Sequence, residues 1–210
     1  MKKCIIVGSV KTDVFTEKEK APGTLYIAAD GGYKYLTERG IAPDITVGDF
    51  DSLEEEPTDA YCGEVIRFPV EKDDTDTLIA VKEAMRRGCT EITLYGCLGG
   101  DRFDHSIATL QTLTYAAESG ANVTAVGENG RYSVTAIKDG EIVFSGDREG
   151  TFSVFAASGE CLGVSIENAK YTVKNVTVTP SYPIGVSNSF IKGKSARISV
   201  EKGTLWVITF

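Results

Sequence analysis

Residues 73–105 read "DDTDTLIAVKEAMRRGCTEITLYGCLGGDRFDH". Asp and Thr open the stretch as helix-capping residues, and Arg86, Arg87 and Gly88 close the first element as a helix end does. Leu78, Val81 and Met85 recur on one helical stripe between them. "EITLYG" follows as a strand and "CLGG" as a glycine turn. "DRFDHSIATLQTLTYAAESG" (101–120) then starts a second helix, with Ile107, Leu110, Thr114 and Ala117 predicted along one face. A helix, a strand and a helix joined by short turns are the repeating unit of a parallel sheet covered by helices.

The same grammar extends outward. Upstream, "KCIIVGS" (3–9), "TLYIAAD" (24–30), "DITVGD" (44–49) and "EVIRFPV" (64–70) are short apolar runs ending on small or polar residues, as buried strands do. "GGYKYLTERG" (31–40) reads as a short helix closed by Gly40, and "NVTAVG" (122–127) ends the series. Downstream the grammar changes. "RYSVTAIKDGEIVFSG" (131–146) carries period-two patches around a D-G turn. "TFSVFAASG", "CLGVSIEN", "YTVKNVTVTP", "GVSNSFIKGK", "SARISVEKG" and "TLWVITF" follow as separate β runs without an amphipathic helix. The expected fold is α/β: an N-terminal, mostly parallel sheet with flanking helices over 1–127, then a C-terminal antiparallel β-sandwich over 128–210.

Composition narrows the function. A formal net charge of −8 argues against a nucleic-acid binder, which needs a basic footprint. No apolar run approaches the ~18 residues of a membrane span, and the start "MKKCIIVGSV" reads as a first strand and not as a signal peptide. Five widely spaced cysteines without a C-x-x-C predict reduced thiols in a cytoplasmic protein. G-x-G-x-x-G is absent, and "GKS" (193–195) fails as a phosphate loop because Asn188 stands where that motif needs glycine.

In open parallel sheets, ligands bind beyond the carboxyl ends of the strands. Here those ends deliver Asp30, Gly31 and Gly32; Asp49 and Asp51; Lys72, Asp73, Asp74 and Asp76; and Gly99, Gly100, Asp101, Arg102, Asp104 and His105. Any one set is a polar turn by default, and their convergence on one edge predicts a site. Asp49 and Asp51 leave an extended chain on the same face, roughly 6–7 Å apart at the backbone. That spacing suits a hard cation, but by itself it leaves a capped turn equally open. Phe50, between them, is expected to point into the core. Asp76 could complete a carboxylate cluster or serve the dipole of its helix. Backbone N–H groups in "GGDRFDH" could hold phosphate with Arg102 as a clamp.

Taken together, "AADGG", "PDITVGDFDSL", "FPVEKDDTDTLIA", "LYGCLGGDRFDH", "GVSNSF" and "LWVITF" resemble the thiamine pyrophosphokinase (thiamine diphosphokinase) family over nearly the whole chain. The resemblance implies a nucleotide-binding α/β domain, a thiamine-binding β domain and a homodimer with thiamine near the subunit interface. It implies transfer of the pyrophosphoryl group of ATP to the hydroxyl of thiamine, giving thiamine diphosphate and AMP. Asp49, Asp51 and Asp76 would then hold Mg²⁺, and Arg102, Lys72 and Asp104 would serve catalysis. Asp30, Gly31, Gly32, Gly99 and Gly100 would meet ATP with Arg102. Ser187, Asn188 and Trp206 would meet thiamine, although a core role is the default for Trp206. Two rival readings stand beside it. "TVGDFDSL" and "GDRFD" also match a haloacid dehalogenase-like phosphatase with Asp49 as nucleophile, although that motif belongs on a first strand. A non-catalytic nucleotide or thiamine sensor would keep the same fold.

Overall fold

The computed structural model describes residues 1–12, 15, 20–50, 62–69, 71 and 73–210. By its contacts the chain divides into two units, residues 1–112 with 123–131 and residues 113–122 with 132–210.

The first unit is built on strands β1 (Lys2–Val7), β2 (Thr24–Ala29), β3 (Ile45–Gly48), β4 (Glu64–Arg67), β5 (Cys89–Tyr95) and β6 (Asn122–Val126), in the spatial order 4-3-2-1-5-6. β1 pairs in parallel with both β2 and β5, and β2–β3 and β3–β4 are parallel too. The chain thus steps outward from β1 to β4, with the short helix α1 (Gly32–Thr37) after β2, then returns across helix α2 (Asp76–Arg86) to lay β5 on the other side of β1. That reversal leaves a crevice at the carboxyl ends of β1 and β5, where a doubly wound sheet places its ligand. The strands are apolar because they are covered: Ile6, Val7, Ile27, Ala28, Ile45, Val47 and Leu94 are fully buried.

Two helical faces differ from the sequence reading. In α2 the buried residues are Ile79, Ala80, Val81, Glu83 and Ala84, while Leu78 and Met85 are only half-buried. In α3 (Phe103–Glu118) the buried residues are Thr109, Thr112, Leu113, Ala116 and Ala117, and Ile107 is exposed. Alanines and threonines let a helix close onto its neighbours, so the true face carries small residues that a search for large apolar ones overlooks. Of the Asp and Thr residues that open α2, Thr75 is the cap, its hydroxyl accepting the Leu78 N–H at 3.2 Å.

The second unit contains β7 (Ser133–Lys138), β8 (Glu141–Phe144), β9 (Thr151–Glu167), β10 (Val173–Val178), β11 (Gly185–Ser189), β12 (Ala196–Ser199) and β13 (Lys202–Thr209). Its pairings are antiparallel. The two runs "TFSVFAASG" and "CLGVSIEN" are one 17-residue strand, β9. Its first half pairs with β13 and β11, its second with β10 and β12. The change of partners is spanned by Gly159 (φ +41°) and Gly163 (φ +68°), glycines in left-handed conformations that let one strand bend from one sheet into the other. The D-G turn likewise joins two sheets: β7 pairs with β13, β8 with β12. Asp139 fixes that corner, its carboxylate accepting the Gly203 N–H at 2.7 Å and its own N–H reaching the Gly203 carbonyl at 3.1 Å. Between the sheets lie Phe152, Val154, Cys161, Val164, Ile166, Ile198, Leu205 and Val207.

All five cysteines are buried free thiols. Among the described residues no helix is long and apolar enough to cross a membrane.

Candidate functional site

A crevice of ≈ 270 Å³ opens at the carboxyl edge of the first unit's sheet. β1 delivers Gly8, Ser9 and Val10 to it, β2 delivers Ala29 and Asp30, and the residue after β3 is Asp49. The first turn of α2 adds Asp74, Thr75, Asp76 and Thr77; Gly96 and Cys97 follow β5, and α3 presents His105 and Thr109.

Its floor is main chain. A Cβ on Gly8 would stand 2.5 Å from the Gly96 carbonyl oxygen, and one on Gly32 only 1.8 Å from the carbonyl oxygen of Val7. Gly31 is nearly as close to Ser9, where a Cβ would meet the Ser9 Cβ at 2.9 Å. The strands are stitched beyond their ladders as well, Gly8 N–H donating to the Tyr95 carbonyl at 2.8 Å and Val10 N–H to the Gly96 carbonyl at 2.9 Å. Such a junction is closed to any side chain and presents backbone groups to whatever enters.

Two residues with positive φ stand among the acids at that rim. Asp30 sits at φ +48°, its N–H bonded to the Val47 carbonyl at 2.8 Å. Phe50 sits at φ +62°, an unusual conformation for a bulky residue. It is buried, as expected, with the Arg67 guanidinium 5.2 Å above its ring, but the strand ends at Gly48 and the positive φ breaks the extended run from which the Asp49–Asp51 spacing was reckoned. Driving Phe50 inward leaves Asp49 on the crevice wall. Asp30, Asp49 and Asp76 therefore line one cavity. Asp51 and Lys72 lie outside the described residues, and among the described residues no three His, Cys, Asp or Glu side chains form a metal-holding group.

The β5–α3 turn passes through Gly99 (φ +100°) and Gly100 (φ +70°), conformations that favour glycine. A Cβ on Gly100 would touch the Val10 side chain at 3.3 Å. Arg102 and Asp104 are exposed and paired with each other through two hydrogen bonds, Nε to Oδ1 at 3.0 Å and Nη2 to Oδ2 at 2.7 Å. The guanidinium holds the Asp104 carboxyl down at about 2.

The residues assigned to thiamine lie in the second unit. Ser187 is exposed at φ +62° in the irregular register between β11 and β9, its N–H bonded to the Ser153 hydroxyl at 3.1 Å. Asn188 is buried, and its carboxamide clasps the main chain of Tyr171, accepting the N–H at 3.0 Å and donating to the carbonyl at 2.6 Å. Asn188 opens on an apolar cleft with Tyr171, Ile184 and Val186. Trp206 is half-buried, donates its indole N–H to the Thr114 hydroxyl at 3.0 Å and lines a second cleft with Phe155, Tyr182 and Pro183.

Sequence reasoning passed over Gly8, Ser9, Val10, Cys97 and Thr109. The available signal was "VGS" after the first apolar run, the same strand-then-glycine pattern as "ADGG". Its importance depends on β1 lying beside β5, which strand order alone decides.

Comparison with known proteins agrees with this architecture. Residues 17–125 match the family described as thiamin pyrophosphokinase, catalytic domain, and residues 141–205 the thiamin pyrophosphokinase, vitamin B1 binding domain. Over 189 residues the chain is 25% identical to thiamine pyrophosphokinase of Bacillus subtilis, covering 88% of this chain and 86% of that protein. The crystal structure of thiamine pyrophosphokinase from Bacillus subtilis superposes with a TM-score of 0.84 at 24% identity, over 99% of this chain and 98% of that one. Thiamin pyrophosphokinase from Candida albicans shares the fold at 15% identity, with a TM-score of 0.75 over 99% and 90% of the two chains. With the catalytic-domain match spanning half of its length and the vitamin-binding match most of the remainder, this chain belongs to the thiamin pyrophosphokinase family.

Proposed function

We propose that this family member is a cytoplasmic, homodimeric enzyme that moves the β,γ-pyrophosphoryl group of ATP onto the hydroxyl of thiamine, releasing AMP and thiamine diphosphate. Residues 1–127 bind nucleotide and carry the catalytic groups; residues 128–210 bind thiamine. The observation that carries this reading is the convergence of Asp30, Asp49 and Asp76 on a main-chain floor at the β1/β5 switch point.

Carboxylates are the hard oxygen donors that Mg²⁺ prefers, so the donor chemistry fits. Asp49 and Asp76 would hold the ion with Asp51. Bound there, Mg²⁺ neutralises polyphosphate charge. The chain itself does the positioning. Backbone N–H groups of Gly31, Gly32 and Gly100 line the approach of the phosphates, Gly99 shapes the turn that carries them, and Asp30 orients the nucleotide at the rim. Arg102 trades its carboxylate partner for a phosphate oxygen, and Lys72 adds a second cation. Asp104 holds Arg102 until that exchange. Phosphoryl chemistry demands little more than such alignment and charge compensation. In the second unit Asn188 and Trp206 border clefts lined by aromatic and apolar side chains, a suitable surface for a cationic heteroaromatic ring, and the exposed Ser187 stands next to Asn188 in the chain. The exposed side chains of Tyr182, Ile184 and Val186 nearby support a dimer.

Asp49 follows the third strand in chain order and not the first, which disfavours the phosphatase reading. The deciding experiment incubates purified protein with thiamine, ATP and Mg²⁺ and quantifies nucleotide products. Equal amounts of thiamine diphosphate and AMP are expected. ADP as the product, or no thiamine-dependent AMP, overturns the proposal.

A further inference from the structure

Two hydroxyls on α3 reach back onto the turn that precedes it. The Ser106 hydroxyl grips both polar groups of Gly99: it accepts the N–H at 3.0 Å and donates to the carbonyl at 3.4 Å. One helical turn further, the Thr109 hydroxyl donates to the Cys97 carbonyl at 2.7 Å. Thr109 is buried and lines the crevice together with Cys97.

The turn needs such fastening. Gly96, Gly99 and Gly100 all have positive φ, and a glycine-rich turn has more conformations open to it than any other sequence. No β ladder runs through residues 97–100, so their polar groups must find partners elsewhere. From the other side, Gly99 is hemmed in by Glu128, whose Cβ would lie 2.9 Å from a Cβ at position 99. The two hydroxyls convert a flexible linker into a wall of fixed shape.

Resting on the proposed function, we infer that Ser106 and Thr109 are positioning residues for the nucleotide. They touch neither phosphate nor metal. They act through Cys97 and Gly99, holding the turn so that the Gly100 N–H and Arg102 are already placed when ATP arrives. Preorganisation of this kind lowers the ordering cost that binding must otherwise meet. Removing either hydroxyl should therefore weaken ATP and leave thiamine untouched.

The test compares Thr109→Val, which deletes the hydroxyl at nearly constant volume, with Thr109→Ser, which keeps it and deletes the methyl group. Ser106→Ala, at a half-buried position, carries the test should Thr109→Val fail to fold. The loss of one such bond predicts a rise of roughly three- to tenfold in KM for ATP. KM for thiamine should stay constant in Thr109→Val and Ser106→Ala, and Thr109→Ser should stay near wild type. Unchanged KM for ATP in both hydroxyl-deleting variants overturns the inference. So does a parallel rise in both KM values that tracks loss of Tm, or a Thr109→Ser variant as impaired as Thr109→Val. Calorimetric titration of Mg-ATP into each protein separates this from the parent reading. A wild type that binds ATP without forming product refutes the proposed reaction and still allows the variants to be ranked. A wild type that binds no ATP refutes both.

Discussion

Arg102 and Asp104 form a two-point ion pair at the start of α3, guanidinium against carboxylate at 2.7 and 3.0 Å, with both side chains largely exposed. A guanidinium meets a phosphate in the same two-point geometry. Arg102→Ala should lower kcat/KM on the order of a hundred- to a thousandfold, the usual loss for a donor aimed at developing charge. Steady-state kinetics with ATP varied would check it, and an effect confined to the thiamine KM would contradict the assignment.

The same pair makes a pH prediction. Its folded carboxyl is depressed from 3.8 to about 2, chiefly by the hydrogen bond from Arg102. A lowered carboxyl pKa adds stability that is present above the unfolded value and disappears as pH falls from 3.8 through 2. Asp104 is thus a carboxylate throughout the neutral range. Asp104→Asn should lower the plateau of kcat/KM without moving either limb of the profile between about pH 6 and 9. A displaced limb would show that Asp104 is the titrating group.

Asp49 and Asp76 line one cavity with Asp30. Asp49→Asn and Asp76→Asn should each lower turnover by about a hundredfold or more if they hold the metal. Circular dichroism should show that both variants remain folded. Chelation should abolish activity and Mg²⁺ restore it. Full activity in the double variant would remove the metal role.

The glycine floor predicts a contrast between two alanine substitutions. At Gly32 the new Cβ would press on the Val7 carbonyl oxygen at 1.8 Å, a main-chain atom that cannot swing away. At Gly40, φ is +72° but nothing lies within 4 Å. Gly32→Ala should cost about 3 kcal/mol or more through overpacking, and Gly40→Ala about 1–2 kcal/mol from the left-handed backbone alone. Urea denaturation of the two variants would rank them, and equal losses would mean the junction is looser than described.

Phe50→Ala should destabilise by about 3–5 kcal/mol, as truncation of a buried phenylalanine does. It should also reduce turnover beyond what stability explains, because the inward ring is what leaves Asp49 on the crevice wall. Phe50→Leu should recover most of the stability. Turnover of the folded fraction, measured well below Tm, distinguishes the two effects.

Alternation of apolar runs with amphipathic stretches was enough to read a helix-covered parallel sheet followed by a β region, since burial dictates those periods locally. The acids and glycines at strand ends were legible for the same reason: a polar residue that ends an apolar strand must lie at an edge. Three things were not local. Gly8, Ser9 and Val10 became part of the crevice only because β5 returns beside β1, and strand order reflects which edges are cheapest to cover, information that no window of sequence holds. β9 reads as two strands, yet it is one, because Gly159 and Gly163 bend it where a turn was expected. The buried faces of α2 and α3 are set by alanine and threonine fitting against neighbours, so close packing chose them over the larger side chains that the hydrophobic pattern favoured. Sequence by itself determined which residues stand at the carboxyl edge of the sheet; the tertiary structure decided which of them meet, because contact between distant segments is a property of how the strands are ordered and packed.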